Sequence, residues 1–428
     1  MKSAYRYLKT SLLLFIFVTL IASCSDITNT EAPEIIDGVP VQSSEEAFEM
    51  DANLIATQTG RSLESVKQEL AFQEAFDVYA SRVLETYPDQ ISRLYMDGEM
   101  KGHIQFVDEI PADLAIAESP LLTTDTLLIT GGGELTLEEN YIRAEVATQA
   151  LKDLGYDNHV TFYGQPEQKI IAEVQVPNDG STVALNTFDL SQALMARLSE
   201  PGLQVQSLAT QVSEDDIELK IIRADGPIAE LVSAHGGQSH AGDSGTSCTT
   251  GWTVSGPNGN GIVSAAHCQV NVKPNKIIRR GAAAGSTHST TFRKQVFGSS
   301  GDAMYHTTDG QEIANFYYSS SNSFRWVESK QSESSMVGKS VCVYGTASNS
   351  RYCFHKIEAI NTNVTSNGRI LGGLARTDRT TVVPGDSGGG WSNGTKAFGI
   401  SVARGGSNDY FMPITRVEST LGVSLLMR

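Results

Sequence analysis

Three side chains lying far apart in this 428-residue sequence could do chemistry together: Ser387, His267 and Asp302. Ser387 sits in Pro384-Gly385-Asp386-Ser387-Gly388-Gly389-Gly390. Flanking glycines let the backbone turn tightly and let adjacent N–H groups converge on one oxygen. A serine hydroxyl is a poor nucleophile until a base takes its proton. The sequence offers that base in Ser264-Ala265-Ala266-His267-Cys268. Asp302 follows Gly301 and precedes the apolar Ala303-Met304-Tyr305. Such a run would bury the carboxylate beside an imidazole, where it holds the tautomer and stabilises the imidazolium. The chemistry of such a set is attack on a carbonyl carbon through an acyl intermediate.

Competing residues are weaker. Gly242-Asp243-Ser244-Gly245 repeats the tetrapeptide, but it precedes His267, lacks the second glycine and reads as a linker turn. Asp309 and Asp378 are alternatives to Asp302, without its apolar flank. His235, His240, His288, His306 and His355 read as surface or packing residues, and the isolated His103 and His159 as structural or solvated.

The elements that must position the three side chains are short. From residue 236 onward acids thin out, and Gly, Ser, Thr and Asn separate brief apolar alternations such as Gly251-Trp252-Thr253-Val254 and Gly261-Ile262-Val263. That pattern predicts an all-β barrel or sandwich, with one short helix, Val417 to Leu421, closed by Gly422. The preceding segment reads as α+β. Ser43-Ser44-Glu45-Glu46 has the form of a capping box, and Gly60 ends the helix it opens. A second helix runs from Leu63 to Tyr87, with Ala71, Ala75, Val78 and Tyr79 expected on one buried face. A hairpin is expected around Gly98, a helix over Leu137 to Leu154 capped by Gly155, and paired strands at Val160 to Tyr163 and Lys169 to Val176. The order helix-then-hairpin suggests two related subdomains, 45–118 and 119–230.

Charge divides the chain at the same place. The first 235 residues hold 14 Lys and Arg against 38 Asp and Glu, and residues 236–428 hold 18 against 11. The overall −17 is therefore −24 on one part and +7 on the other, which suits an acidic segment lying on a basic partner within one chain. A nucleic-acid partner is not expected. Lys2, Arg6 and Lys9 precede an apolar run, Leu12 to Ile21, of signal-peptide length. It ends in Ile21-Ala22-Ser23-Cys24, which resembles a bacterial lipobox with Cys24 as the lipidated residue. The remaining cysteines, Cys248, Cys268, Cys342 and Cys353, allow three pairings. Near-neighbour bridges, Cys248–Cys268 and Cys342–Cys353, each close a loop of hairpin size. No CxxC spacing points to a metal, and no cofactor is implied.

These residues together resemble the chymotrypsin-fold bacterial serine proteases of the streptogrisin and α-lytic protease group. The matching segments are His235-Gly236-Gly237, Ser247 to Val254, Ser264 to Cys268, Asp302 to Thr307, Val337 to Gly345 with Cys353, Pro384 to Gly389, and Met412 to Val417 with Gly422-Val423-Ser424. The resemblance implies two six-stranded antiparallel β-barrels with His267, Asp302 and Ser387 in the cleft between them, and an oxyanion hole made by the backbone N–H groups of Gly385 and Ser387. It implies the same two disulfides, polypeptide substrates, and a long pro-region that assists folding and then blocks the cleft. Substrate-binding segments would be Val383-Pro384 and Ser401-Val402-Ala403-Arg404. Three departures stand out. No cysteine follows Cys353, Val343 replaces an arginine that commonly pairs with the aspartate before the nucleophile, and Arg404 stands where small residues are usual. Arg404 would narrow the pocket or favour an acidic side chain.

The expected organisation is a signal peptide (1–23), a tether (24–44), an acidic α+β pro-region (45–235) and a protease domain (236–428). The expected product is an exported endopeptidase, anchored as a precursor to the bacterial envelope through Cys24 and then released. The alternatives are an inactive surface-anchored binding protein on the same fold, and an esterase.

Overall fold

In the computed structural model the described residues are 35–36, 39–115, 119–177, 187–198, 214–224, 229–230, 237–243, 247–271, 273–278, 287–308, 315–317, 324–345 and 347–428. The expected signal segment (1–23), Cys24, Ser244, Asp309 and residues 231–236, with His235, lie outside them.

Capping fixes the helices of the amino-terminal half. Helix Ser44–Thr59 opens on Ser43, whose side chain accepts from Glu46 N–H while Glu46 reaches back to the Ser43 N–H, and Gly60 closes it at φ +70°. Helix Leu63–Thr86 buries Val66, Leu70, Phe76, Tyr79, Ala80 and Val83. The expected face was rotated: Val78 is 66% exposed, because Phe76 and Ala80 rather than Ala75 and Val78 continue the stripe from Phe72. Strands Ile91–Met96 and Gly102–Val107 form the hairpin, and an unexpected third strand, Leu127–Gly133, lies parallel to the second. Helix Leu137–Asp153 has its own capping box, from Thr136 and Glu139. Hairpin His159–Gly164/Lys169–Pro177 follows, again with a third strand, Ile217–Ala224, parallel to the second.

Among the described residues the carboxy-terminal half is β apart from the short helices His267–Asn271 and Ile414–Leu421 and the single 3-10 turn Glu333–Ser335. Its first barrel uses Ser239–Ala241, Gly259–Ser264, Lys276–Ile278, Thr287–Gly298 and Gly301–Thr308. Residues 247–256 act as one bent sixth strand. Ser247–Thr249 pairs with Ser239–Ala241, and Thr253–Gly256 pairs with Gly259–Ser264. The second barrel closes fully. Strand Ser340–Gly345 pairs with both Ser350–Ser366 and Gly390–Asn393, and Arg369–Thr377, Asn408–Pro413 and Lys396–Gly405 complete the ring. A shared core of Trp252, Tyr305, Ile400, Val402, Met412 and Val417 joins the barrels. The last helix returns the chain so that Ser424–Leu425 pairs with Thr253–Gly256.

The two halves are packed on each other. His159, Val160 and Thr161 pair with Thr365, Val364 and Asn363, so three amino-terminal strands extend the second barrel's hairpin into one sheet. Helix Ser44–Thr59 sets Ala52 and Ile55 against the Cys342–Cys353 disulfide. Asp51 accepts from Arg325 at 2.8 and 2.9 Å and from Arg351 at 2.8 Å through each oxygen. Asp77 meets Lys339 at 2.6 Å and Lys396 at 2.9 Å, and Glu173 meets Arg376 at 2.8 Å. Every one of these carboxylates comes from the acidic half and every one of these cations from the basic half.

Candidate active site

His267 opens the five-residue helix that follows strand Gly259–Ser264. The disulfide Cys248–Cys268 ties that helix to strand Ser247–Thr249. Ala265 and Ala266 are fully buried against the disulfide and Met304, a space that larger side chains would overfill. Asp302 is the second residue of strand Gly301–Thr308. Gly301 has φ +127°, and the Met412 side chain fills the place a Cβ would take. The Asp302 carboxylate grips His267 twice. Oδ1 accepts the His267 backbone N–H at 2.9 Å, and Oδ2 lies 2.6 Å from Nδ1. An ionised carboxylate only accepts, so Nδ1 carries the proton and Nε2 is left as the acceptor. Nε2 stands 2.9 Å from Ser387 Oγ. All three side chains are buried.

The loop carrying Ser387 is held from several sides. Asp386 N–H donates to Val383 O and Gly389 N–H to Asp386 O, both at 2.9 Å. Thr249 N–H donates to Ser387 O at 2.6 Å, and Thr249 Oγ1 to Gly385 O at 3.0 Å. Gly388, at φ +88°, passes so close to Ser264 Oγ and Thr249 O that a Cβ would overlap both. Gly385 is also left-handed, at φ +111°. In place of an arginine, backbone amides surround the Asp386 carboxylate: those of Ala347 and Ser348 at 3.1 and 3.2 Å, and that of Val383 at 3.0 Å. Burial raises the Asp386 pKa, and these hydrogen bonds oppose the rise. Gly345 leaves room for that carboxylate.

Ser401, Val402 and Ala403 are buried in strand Lys396–Gly405, and Arg404 is half-buried. Ser401 Oγ accepts from Trp391 Nε1 at 2.8 Å. Val383 is half-buried and Pro384 exposed, and Arg404 donates to Val382 O at 3.3 Å. Asp409 escaped the sequence reading. Its carboxylate takes the Thr381 N–H at 2.7 Å, the Val382 N–H at 3.1 Å and Thr380 Oγ1 at 2.8 Å, anchoring the approach to the nucleophile loop. Burial pushes its pKa up to about 6 against those donors. The one sequence signal was a carboxylate immediately before the apolar run Tyr410-Phe411-Met412. Across the same strand, Ala229 and Glu230 pair antiparallel with Arg404 and Ala403.

Other candidates stay apart. Asp378 accepts the Lys356 N–H at the barrel surface, and Asp243 meets Asn275. His240, His306 and His355 are buried packing residues. Two groupings of metal-ligand type occur among the described residues, Cys248 with His267 and Cys268, and Asp51 with Cys342 and Cys353. In both, the sulfurs are spent in disulfides.

No family model matches the sequence. Over 206 residues the chain is 27% identical to streptogrisin-C of Streptomyces griseus, covering 46% of this chain and 42% of that protein. The sequence is streptogrisin-like over that stretch. The chain thus spans less than half the length of this curated relative. Among solved structures, Nocardiopsis protease (NAPase) is 21% identical with a TM-score of 0.37, covering 46% of this chain and 100% of that one. Cellulomonas bogoriensis chymotrypsin is 24% identical with a TM-score of 0.36, covering 46% and 99%. The fold of the streptogrisin-like part is chymotrypsin-like and all-β, with the barrels laid out above.

Proposed function

We propose that the chain is the precursor of a serine endopeptidase, with Ser387 as nucleophile, His267 as general base and acid, and Asp302 as its orienting carboxylate. The observation that carries this is the unbroken relay from Asp302 through Nδ1 and Nε2 to Ser387 Oγ, at 2.6 and 2.9 Å. Ser387 Oγ attacks the substrate carbonyl and passes its proton to Nε2, which returns it to the leaving amine. Water then repeats the cycle on the acyl-enzyme. The N–H groups of Gly385 and Ser387 hold the oxyanion, where losing one donor costs about 10²–10³ in rate. Val383, Pro384 and residues 401–404 bind the substrate chain.

In this reading residues 1–23 direct export, Cys24 is lipidated, 24–44 form a tether, and 45–235 are the pro-region, in two parts (45–118 and 119–230). Residues 236–428 are the protease. The charge division and the buried Asp51, Asp77 and Glu173 contacts support a segment made to fit this partner. The placement of residues 229–230 on the substrate strand supports its role as an inhibitor.

A fluorophosphonate probe tests the enzyme reading. The native chain should be labelled, labelling should be lost on heating and in Ser387→Ala, and a peptide amide should be hydrolysed in parallel. Equal labelling of Ser387→Ala would sink the assignment.

A further inference from the structure

Thr249 and Thr250 are adjacent and both buried, yet their hydroxyls serve different partners. Thr250 Oγ1 donates to Gln238 O at 2.9 Å and accepts the Gln238 N–H at 2.8 Å, where the chain leads into strand Ser239–Ala241 of the first barrel. Thr249 instead reaches across to the second barrel. Its N–H donates to Ser387 O at 2.6 Å, and its Oγ1 donates to Gly385 O at 3.0 Å.

What lies between those two carbonyls gives the contact its meaning. From Pro384 to Gly388 the chain has four peptide planes. The first carries the Gly385 N–H and the third the Ser387 N–H. The second carries Gly385 O and the fourth Ser387 O. Thr249 therefore grips the two planes that alternate with the two N–H donors. The second plane is tied at its other end as well, since Asp386 N–H donates to Val383 O at 2.9 Å. Only the φ and ψ of Gly385 join the first plane to the second. Gly385 stands at φ +111° and has no side chain to resist rotation. Holding the second plane is thus what restricts the direction of the Gly385 N–H.

Thr249 is itself well anchored. Ser264 Oγ donates to its carbonyl oxygen. Cys248 before it is bridged to Cys268, and His267 precedes Cys268. Through this one residue the nucleophile loop is referred to the histidine.

Resting on the enzyme reading above, we infer that the Thr249 hydroxyl is a positioning group for the oxyanion hole, holding the Gly385 peptide so that its N–H faces the oxygen that gains charge in the transition state. Such a donor works because it is oriented before the charge appears. Loss of the hydroxyl is then felt in the transition state and not in substrate binding.

The test replaces the hydroxyl by a methyl group of similar size. Thr249→Val is compared with Thr249→Ser, Thr250→Val and the native chain, each counted for active sites with the fluorophosphonate probe. Thr249→Val should lower kcat on a peptide amide about 10- to 100-fold, with KM changed by less than about twofold. The affinity of a peptidyl trifluoromethyl ketone, whose hemiketal oxygen would occupy the hole, should fall by the same factor. Thr249→Ser keeps the hydroxyl and Thr250→Val loses the one that serves Gln238; both should stay within about threefold of the native chain. Native kcat in Thr249→Val, or a loss confined to KM with the ketone affinity unchanged, overturns the inference. An equal loss in Thr250→Val also overturns it, since any buried hydroxyl would then serve. If Thr249→Val does not fold, Thr249→Ala takes its place, and a kcat equal to that of Thr249→Ser overturns the inference. Labelling of the native chain alongside any of these adverse results leaves the enzyme reading standing. A native chain that neither labels nor cleaves the amide overturns both.

Discussion

Asp51 lies fully buried between Arg325 and Arg351, one carboxylate from the acidic half clasped by two guanidinium groups of the basic half. Burial alone would push its pKa up, but the two arginines more than reverse this and hold it well below the usual carboxylate range. Removing one member of a buried ionic set leaves the others uncompensated, at a cost of about 3–5 kcal/mol. Asp51→Ala in the Ser387→Ala background should therefore lower stability to urea by that order. An unchanged midpoint would show that the clasp contributes nothing.

The same group sets an acid limit. A depressed folded-state pKa stabilises the protein fully above the unfolded value near 3.8, and that contribution is lost as pH falls toward the folded value. Asp77, lowered by Lys339 and Lys396 against its burial, acts alike. The halves should loosen below about pH 4, read as new protease sensitivity within residues 44–86, and Asp51→Ala should reduce that pH dependence.

Histidines govern the range above. Burial lowers the pKa of His306 to about 4 and of His355 to about 3. Between these values and the ordinary 6.5 the unfolded chain binds more protons, so stability rises with pH across that window. His306 alone accounts for roughly 3 kcal/mol of it. In His306→Gln the slope of unfolding free energy between pH 4.5 and 6.5 should flatten by about one proton; an unaltered slope would mean that the ring is charged when folded.

Asp302→Asn should leave the fold and KM intact and lower kcat by about 10⁴, since an amide no longer enforces the Nδ1–H tautomer. Steady-state kinetics on a peptide amide, checked by circular dichroism, decides this. A loss below tenfold would remove Asp302 from the relay.

Gly388→Ala places a methyl group on Ser264 and Thr249 and forces an L-residue into a left-handed backbone. The conformation alone costs about 1–2 kcal/mol, and the overlap adds to it. The variant should lose fluorophosphonate labelling and melt earlier, whereas Gly394→Ala, left-handed in open space, should show only the conformational cost.

What the sequence disclosed followed distance along the chain. The capping box at Ser43, the stops at Gly60 and Gly422 and the hairpin around Gly98 are written within a few residues of where they act. His267, Asp302 and Ser387 could be proposed together because each lies in a distinctive short pattern. Contacts between distant segments left no such mark. Nothing near Asp51 announces Arg325 or Arg351, and nothing in Val343 tells that amides at 347, 348 and 383 surround Asp386. Val78 was misplaced because alanines at 71 and 75 mimic a stripe whose true members are the aromatics at 72, 76 and 79. The third strand, Leu127–Gly133, follows a parallel crossover that periodicity does not reveal.

The shared sheet has a price at separation. Residues 363–365 are interior only because residues 159–161 lie against them. If the amino-terminal half is removed, as the proposed maturation requires, that stretch would become a bare margin of unpaired amides and carbonyls, a template for recruiting any extended chain. Mature molecules should then stick edge to edge at high concentration, and an added excess of the severed amino-terminal fragment should keep them dispersed.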